Sequence, residues 1–407
     1  MPDIAKINGA TATDIVKIDG AASADVVKID GNSAASTAVA SYWAICFDDN
    51  QTSWAANADI ASESEWADNI WTTHGDGGSA DMIDIAYGKD GSGNPIFLAI
   101  ANSSGNNVWV DQNNDITDNS TWTRINLSST AKRQTIQWGD DVWIAAGNVS
   151  ASNVNIHRST DGAASFSAID VSGATNISTT EQIKALASDG AGNWMFGQKA
   201  NLYFSSDDGA SWAWLIQPSG ASGDFIRDIV YTNGSWVVLY SAGGNAKMIA
   251  CVGSTAANMD DSGDWGTAVT LTGNFTDDVG NETTPTLSGT STKRMAAANG
   301  RIVAMQMGNG PNGARTIGAD VSAKVITLDS SGTIQRVPFT AGTAQCIATD
   351  GTTWLAGGDG SDAGRNGGEI CRSTNGGDSW ALIVEGIDNH TANKVNGIAP
   401  DLYLPIG

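Results

Sequence analysis

Proline is scarce in this chain, with 8 residues in 407 against 48 glycines, which argues for many tight turns and against long linkers. Basic residues are scarce too. The 21 Lys and Arg face 44 Asp and Glu, a net charge of −23 that keeps a chain soluble and repels phosphate backbones, so nucleic acid is not an expected partner. Only three histidines (His74, His157, His390) and four cysteines (Cys46, Cys251, Cys346, Cys371) are present, without a C-x-x-C pair or zinc-ligand spacing. Buried free thiols are the expectation, and neither a metal nor another cofactor is. No apolar run approaches the roughly 18 residues of a membrane span, so no membrane association is expected. The N-terminus lacks the apolar centre of a signal peptide, so export through one is not expected either.

What the chain has in plenty is repetition. Its length suits two or three ordinary domains or one repeat-built domain. Residues 3–31 hold three copies of one unit at a period of 11: D-I-A-K-I-N-G from Asp3, D-I-V-K-I-D-G from Asp14 and D-V-V-K-I-D-G from Asp25. An 11-residue period can mean a right-handed helical supercoil, but N-G or D-G in every copy and β-branched residues around Lys6, Lys17 and Lys28 favour short strands capped by turns. Such strands bury no core alone, so residues 1–31 either dock on a partner surface or on sister copies, or form a flexible leader. Residues 32–41, small and polar, read as a linker.

From Tyr42 onward strands and turns alternate. Asp90-Gly91 precedes Phe97, Gly139-Asp140 precedes Trp143, Asp189-Gly190 precedes Trp194, Asn233-Gly234 precedes Trp236, Asn299-Gly300 precedes Ile302, Asp350-Gly351 precedes Trp354, and Asp401 precedes Leu402. The steps between these strand openers are 46, 51, 42, 66, 52 and 48 residues. A period near 50 with four short strands per unit is that of a propeller blade. Six blades are complete between about Asp81 and Ile383. Two strands from Lys394–Ile406 and two from Tyr42–Trp71, one of them around Trp66, would make a seventh and remove the open edges. The expected fold is all-β: a seven-bladed β-propeller over 42–407, closed by N- and C-terminal strands and preceded by the repeat-containing arm.

Three octets lie where third and outer strands meet: Ser159–Phe166 (S-T-D-G-A-A-S-F), Ser205–Trp212 (S-S-D-D-G-A-S-W) and Ser373–Trp380 (S-T-N-G-G-D-S-W). In the second, Asp207 is expected to accept backbone N–H groups two residues on, Gly209 to supply a positive φ, and Trp212 to plug the gap between sheets. These octets resemble the Asp-box, S-x-D-x-G-x-x-W, of sialidase-like β-propellers. Its positions map to Ser159, Asp161 and Phe166, to Ser205, Asp207, Gly209 and Trp212, and to Ser373, Asn375, Gly377 and Trp380. The resemblance implies a structural role, because in that family the box lies at outer hairpin tips, away from the ligand face. Trp122 and Trp265 take the tip position in blades one and four, and a plain Ser330-Ser331-Gly332 turn replaces it in blade five. The D-[IV]-x-K-[IV]-[ND]-G repeats are in turn similar to N-terminal repeats on structural proteins of tailed bacteriophages.

An exo-sialidase needs three arginines for the substrate carboxylate, a Tyr–Glu nucleophile pair and an acid. No F-R-I-P motif precedes the octets; the nearest string is Phe225-Ile226-Arg227-Asp228, and Tyr231 and Tyr240 fall on expected strands of blade four. No enzyme activity is expected. Asp111, Asn113 and Asp115 alternate as in half a calcium loop, and Asp260, Ser262 and Asp264 repeat the spacing, but the turn glycine and final glutamate of such a loop are missing around the first, so solvated turns are expected.

Aligning the seven inner strands on the apolar residue two positions later brings Ile83, Gln134, Lys184, Arg227, Arg294, Gln345 and Asn396 into equivalence. Lys184, Arg227 and Arg294 would then form a positive mouth for a carboxylate or sulfate, unless acids such as Asp228 neutralise it. Long segments at Gly273–Thr292, Gly308–Ala323 and Gly357–Gly368 fall on the same rim, two of them carrying Arg315 and Arg365. Two functional classes follow. One is a non-enzymatic phage virion protein (capsid decoration, tail or fibre) made in the host cytoplasm. It would be anchored to other virion proteins through residues 1–31, would oligomerise, and could present the propeller to host-surface glycans. The other is a secreted or surface carbohydrate-active propeller, a glycosidase or lectin.

Overall fold

The computed structural model describes residues 17–18, 21–22, 28–29, 32–33, 42–47, 51–68, 71–72, 82–101, 107–111, 122–127, 133–147, 155–178, 180–218, 221, 226–276, 281–288, 292–307, 314–329, 333–340, 343–359, 367–385, 387 and 394–401. The chain divides into two compact units, Met1–Val39 and Ala40–Gly407.

In the first unit, Lys17–Ile18 pairs antiparallel with Ala21–Ala22, and Lys28–Ile29 with Asn32–Ser33. Lys17–Ile18 of copy two and Lys28–Ile29 of copy three are thus strand, each paired in the same register with the two residues that follow it four positions on. Asn32 and Ser33 belong to the second hairpin and not to a linker. The first copy lies outside the described residues.

The second unit is a seven-bladed β-propeller whose blades are antiparallel sheets. From the inner strand outward, blade one is Met82–Lys89, Pro95–Ala101, Asn107–Asp111 and Trp122–Asn126. Blade two is Arg133–Gly139, Val142–Gly147, Asn155–Ser159 and Ser167–Asp170. Blade three is Ile183–Ser188, Trp194–Gln198, Asn201–Ser205 and Ala213–Ile216. Blade four is Ile226–Thr232, Ser235–Ala242, Asn245–Cys251 and Val269–Thr270. Blade five is Thr292–Ala298, Arg301–Gln306 and Arg315–Ser322, with its outer edge shared by Val325–Leu328 and Ile334–Arg336. Blade six is Ala344–Thr349, Trp354–Asp359, Gly368–Ser373 and Ala381–Glu385.

Blade seven closes the ring with a different division of strands from the expected one. Its inner strand, Val395–Pro400, comes from the C-terminal part, and the other three, Tyr42–Phe47, Gln51–Ala56 and Trp71–Thr72, from the N-terminal part. Trp66 is on a short helix, Glu63–Asp68, and on no strand; its indole donates to the Ile60 carbonyl at 2.9 Å and is fully buried. The inner strands of neighbouring blades touch around the whole ring, and Asn396 Nδ2 donates to the Met82 carbonyl at 2.7 Å across the closure.

Two turn chemistries join inner to second strands. In blades two, four and five the connection is two residues, and both adopt the left-handed region: Asp140 and Asp141 (φ 50° and 62°), Asn233 and Gly234 (50° and 72°), Asn299 and Gly300 (52° and 82°). Such backbone matches the twist of the flanking strands. Blades one, three and six use a longer loop folded around a carboxylate. Asp90 Oδ1 accepts from the N–H groups of Ser92 and Asn94, Asp189 Oδ1 from Ala191 and Asn193, and Asp350 Oδ1 from Thr352 and Thr353. The D-G and N-G signals therefore mark real turns of two kinds.

The core sits between blades. Among the described residues the buried apolar side chains form seven clusters, one at each interface from blades one and two round to seven and one. This explains why second strands such as Val142–Gly147 and Ser235–Ala242 are buried on both faces and read as continuous apolar runs.

The octets act as clasps on these interfaces. In the second, Ser205 Oγ donates to Asp207 Oδ1 at 2.7 Å and accepts from Gly209 N–H at 2.9 Å, while Asp207 accepts from the N–H and hydroxyl of Ser211 at 2.9 and 2.6 Å. The carboxylate thus reaches N–H four residues on, not two. The first octet repeats this with Ser159, Asp161, Ala163 and Ser165, and the third with Ser373, Asn375, Gly377 and Ser379, except that Asn375 Nδ2 donates to the Ser379 hydroxyl at 2.9 Å. Gly209 has φ 76°, and a Cβ there would lie 2.3 Å from Ile144 Cδ1 of blade two. Trp212 donates to the Gly209 carbonyl at 3.0 Å and packs on Phe196 in the cluster between blades two and three. Trp122, Phe166, Trp265 and Trp380 likewise pack toward the preceding blade. Residues 330–332 lie outside the described set.

Candidate functional site

Every inner strand begins with a one-residue register irregularity against its second strand, between Met82 and Asp84, Arg133 and Thr135, Ile183 and Ala185, Ile226 and Asp228, Thr292 and Arg294, Ala344 and Cys346, and Val395 and Gly397. A bulge re-aims the side chain it inserts. The inserted residues are Ile83, Gln134, Lys184, Arg227, Lys293, Gln345 and Asn396, which is the expected ring with one correction. In blade five the bulge residue is Lys293; Arg294 is one position deeper, equivalent to Asp84, Thr135, Ala185, Asp228, Cys346 and Gly397. Aligning on the apolar residue failed there because Met295 and Ala296 are both apolar, so the alignment slid by one.

The shift changes what Arg294 does. It lines a cavity of about 270 Å³ in the central channel, together with Asp84, Thr135, Gln137, Asp228, Cys346 and Asn396. Burial works against its charge, but Asp84 and Asp228 outweigh it and hold the guanidinium protonated. Both carboxylates are engaged in the main chain as well. Asp84 accepts from Ile85 N–H at 3.1 Å and from Ile136 N–H of blade two at 3.0 Å. Asp228 accepts from Ile229 N–H at 3.0 Å and from Met295 N–H of blade five at 2.7 Å. Each is a bolt from one blade to the next. Both occur in one string that the sequence displays, D-I-A-Y at Asp84 and D-I-V-Y at Asp228.

Burial pushes Asp228 up to about 6, against the pull of Arg294 and its two N–H donors, and it raises Asp84 as well. The folded chain then binds this proton more tightly than the unfolded one, whose carboxyl has its ordinary 3.8. The stability contributed by protonated Asp228 is present below about pH 4 and is lost as the pH rises through about 6. Two units correspond to roughly 3 kcal/mol. In urea titrations the wild type should lose stability relative to Asp228→Asn by an amount of this order between pH 4 and pH 7. A constant difference between the two proteins across that range would contradict this assignment.

Of the expected mouth residues, Lys184 is exposed and Arg227 partly buried on adjacent blades. Burial lowers the Lys184 pKa, and the nearby charges of Arg227 and, more weakly, Arg294 lower it further, against the favourable Glu181. Arg315 is not in a loop: it opens the third strand of blade five, with its guanidinium carbon 4.2 Å from the centre of the Phe275 ring. Arg365 lies outside the described residues. The segment Gly273–Thr292 is not an open loop either; Phe275–Thr276 and Glu282–Thr283 pair as a hairpin, and Leu271, Phe275 and Leu287 fill the interface between blades four and five.

Tyr240 is fully buried, and Tyr231 packs edge-on against Trp236 at 4.8 Å. Asp111 is buried at the end of a strand, while Asn113 and Asp115 lie outside the described residues. Asp264 is spent on a helix cap, accepting from Asp261 N–H at 3.1 Å. The four cysteines are free and buried. Among the described residues no helix is long and apolar enough to cross a membrane.

No family model matches the chain, and no curated protein does. Solved structures with a similar course include YCF48 bound to D1 peptide, at 12% identity and a TM-score of 0.44, covering 78% of this chain and 92% of that one. The GH74 xyloglucanase of Xanthomonas campestris is 16% identical at a TM-score of 0.46, covering 74% of this chain and 45% of its own. Raptor of Chaetomium thermophilum is 11% identical at a TM-score of 0.49, covering 79% of this chain and 26% of its own. This chain therefore spans less than half the length of the latter two.

Proposed function

We propose that the chain is a non-enzymatic structural protein of a tailed-phage particle, attached through its N-terminal repeats and displaying the propeller outward. The observation that carries this reading is the pair of equivalent strand pairings in the N-terminal unit, Lys17–Ile18 with Ala21–Ala22 and Lys28–Ile29 with Asn32–Ser33. The described arms of these hairpins are two residues each, and arms so short are not stable alone, so near-identical copies fit docking on equivalent surfaces of a repetitive partner or of sister chains, with edge pairing supplying the hydrogen bonds. The octets, which resemble Asp-boxes, serve as interface clasps in this reading. Asp161 and Asp207 are spent on hydrogen bonds within their own hairpins and are not offered to a substrate.

A chain beginning at Ser41 should melt within a few degrees of the full-length protein yet fail to enter particles or oligomers. Calorimetry and quantitative mass spectrometry of purified particles read the two halves of this expectation. Insolubility of the shortened chain would make the repeats part of the propeller's stability, and normal incorporation would make them a dispensable leader; either overturns the proposal.

A further inference from the structure

An asparagine followed by glycine is prone to lose its side-chain amide, because a residue without a Cβ lets its own backbone nitrogen swing onto the Asn side-chain carbonyl carbon. Four such pairs lie wholly within the described residues: Asn233-Gly234, Asn299-Gly300, Asn375-Gly376 and Asn396-Gly397. Three of them are guarded. In blade five the attacking nitrogen is occupied, since Gly300 is buried and its N–H donates to Thr232 Oγ1 of blade four at 2.9 Å. In the third octet the amide itself is held: Asn375 Oδ1 accepts from the Ser373 hydroxyl at 2.8 Å and from Ser379 N–H at 3.0 Å, while Nδ2 donates to the Ser379 hydroxyl at 2.9 Å. In blade seven Asn396 Nδ2 donates to the Met82 carbonyl at 2.7 Å, and Gly397 is so closely packed that a Cβ would lie 3.0 Å from Ile85 N. Asn233-Gly234 has none of these guards. Asn233 is exposed and left-handed (φ 50°), and Gly234 (φ 72°) has open space where a Cβ would be. The Gly234 N–H meets no acceptor among the described residues. The Asn233 amide is tied by a single long bond, from Nδ2 to the Val321 carbonyl of blade five at 3.3 Å.

We propose that Asn233 is a site of spontaneous deamidation in the folded protein. The Gly234 nitrogen attacks Asn233 Cγ, the Cγ–Nδ2 bond breaks, and ammonia leaves with the proton of the Gly234 N–H, closing a succinimide ring. Water then opens the ring at one carbonyl or the other, giving Asp or isoAsp, so the only co-reactant is water. Both products add a negative charge and end the bond from Nδ2 to Val321. The isoAsp product also inserts a methylene into the main chain of a two-residue turn, whose strands are in register with Thr232 opposite Ser235. That change works against the left-handed backbone the turn requires and moves Ser235, whose hydroxyl donates to the Ala323 carbonyl of blade five at 2.9 Å. The junction of blades four and five therefore ages chemically at this turn, whatever the propeller displays or binds.

The test is peptide mapping by mass spectrometry of the full-length protein after storage in mildly alkaline buffer, with peptic digestion in acid so that the digestion itself adds no product. Asn233 is expected to convert about ten times faster than Asn299, Asn375 or Asn396, the factor that one net hydrogen bond confers, and to yield both Asp and isoAsp. In urea the four rates should converge, because the guards belong to the fold. Thr232→Val releases the Gly300 N–H and should speed conversion of Asn299 about tenfold. An intact Asn233 overturns the proposal, as do equal rates at Asn233 and Asn299 in the folded protein. A preference for Asn233 that persists in urea overturns it too, since the cause would then be local sequence. So does an unchanged Asn299 rate in the Thr232→Val protein, which would remove the hydrogen bond as the guard. If that variant melts lower, the wild-type rates in buffer and in urea decide.

Discussion

Deletion of Lys394–Gly407 should abolish the cooperative unfolding transition of the propeller. The deleted segment contains the inner strand of blade seven, which pairs with the next strand from Val395 with Phe47 to Pro400 with Trp43. Its removal strips the cover from Trp43, Ile45 and Phe47, all in the cluster between blades six and seven. It also removes Asn396, which bonds to the Met82 carbonyl of blade one, and Cys346 Sγ loses its acceptor, the Val395 carbonyl at 3.3 Å. Three strands of blade seven would remain with no inner strand to join them to either neighbour, and the ring would become an open array with unpaired edges. A sharp calorimetric transition at the full-length temperature would refute closure by shared ends.

Truncating Trp212 to Ala should cost about 3 kcal/mol, the lower end for a large aromatic because the ring is partly exposed at the tip of its hairpin. The loss combines the tilted ring contact with Phe196, centroids 4.8 Å apart, the bond to the Gly209 carbonyl, and a void beside Ile144 that the rigid clasp of Ser205 and Asp207 cannot collapse to fill. Urea titration reads this directly. A cost under about 1 kcal/mol would mean that the octet holds its own hairpin and contributes little to the interface between blades.

Much of this arrangement lies in local chemistry that a sequence displays. Asn233-Gly234 and Asn299-Gly300 make two-residue turns because few residues other than Gly, Asn and Asp tolerate left-handed backbone, and the octets close because a Ser, an Asp or Asn and a second Ser stand at fixed offsets along one hairpin. Repetition of those signals at about 50 residues was enough for the blade count. Features that depend on relations between blades were not legible in this way. Asp84 and Asp228 are ordinary strand residues until the neighbouring blade presents the N–H groups of Ile136 and Met295.

The sequence by itself determined that the chain is all-β, that its blades number seven, and that both chain ends share in the last, because turn residues and alternating apolar strands act over a few positions. Only the tertiary structure decided the one-and-three division of strands in blade seven and the helix that carries Trp66. It also decided that Lys293, not Arg294, takes the bulge position at the channel mouth. The physical reason is that bulge register and strand order are set by pairing across the ring, where a one-residue shift exchanges the rim for the channel wall without altering any local preference.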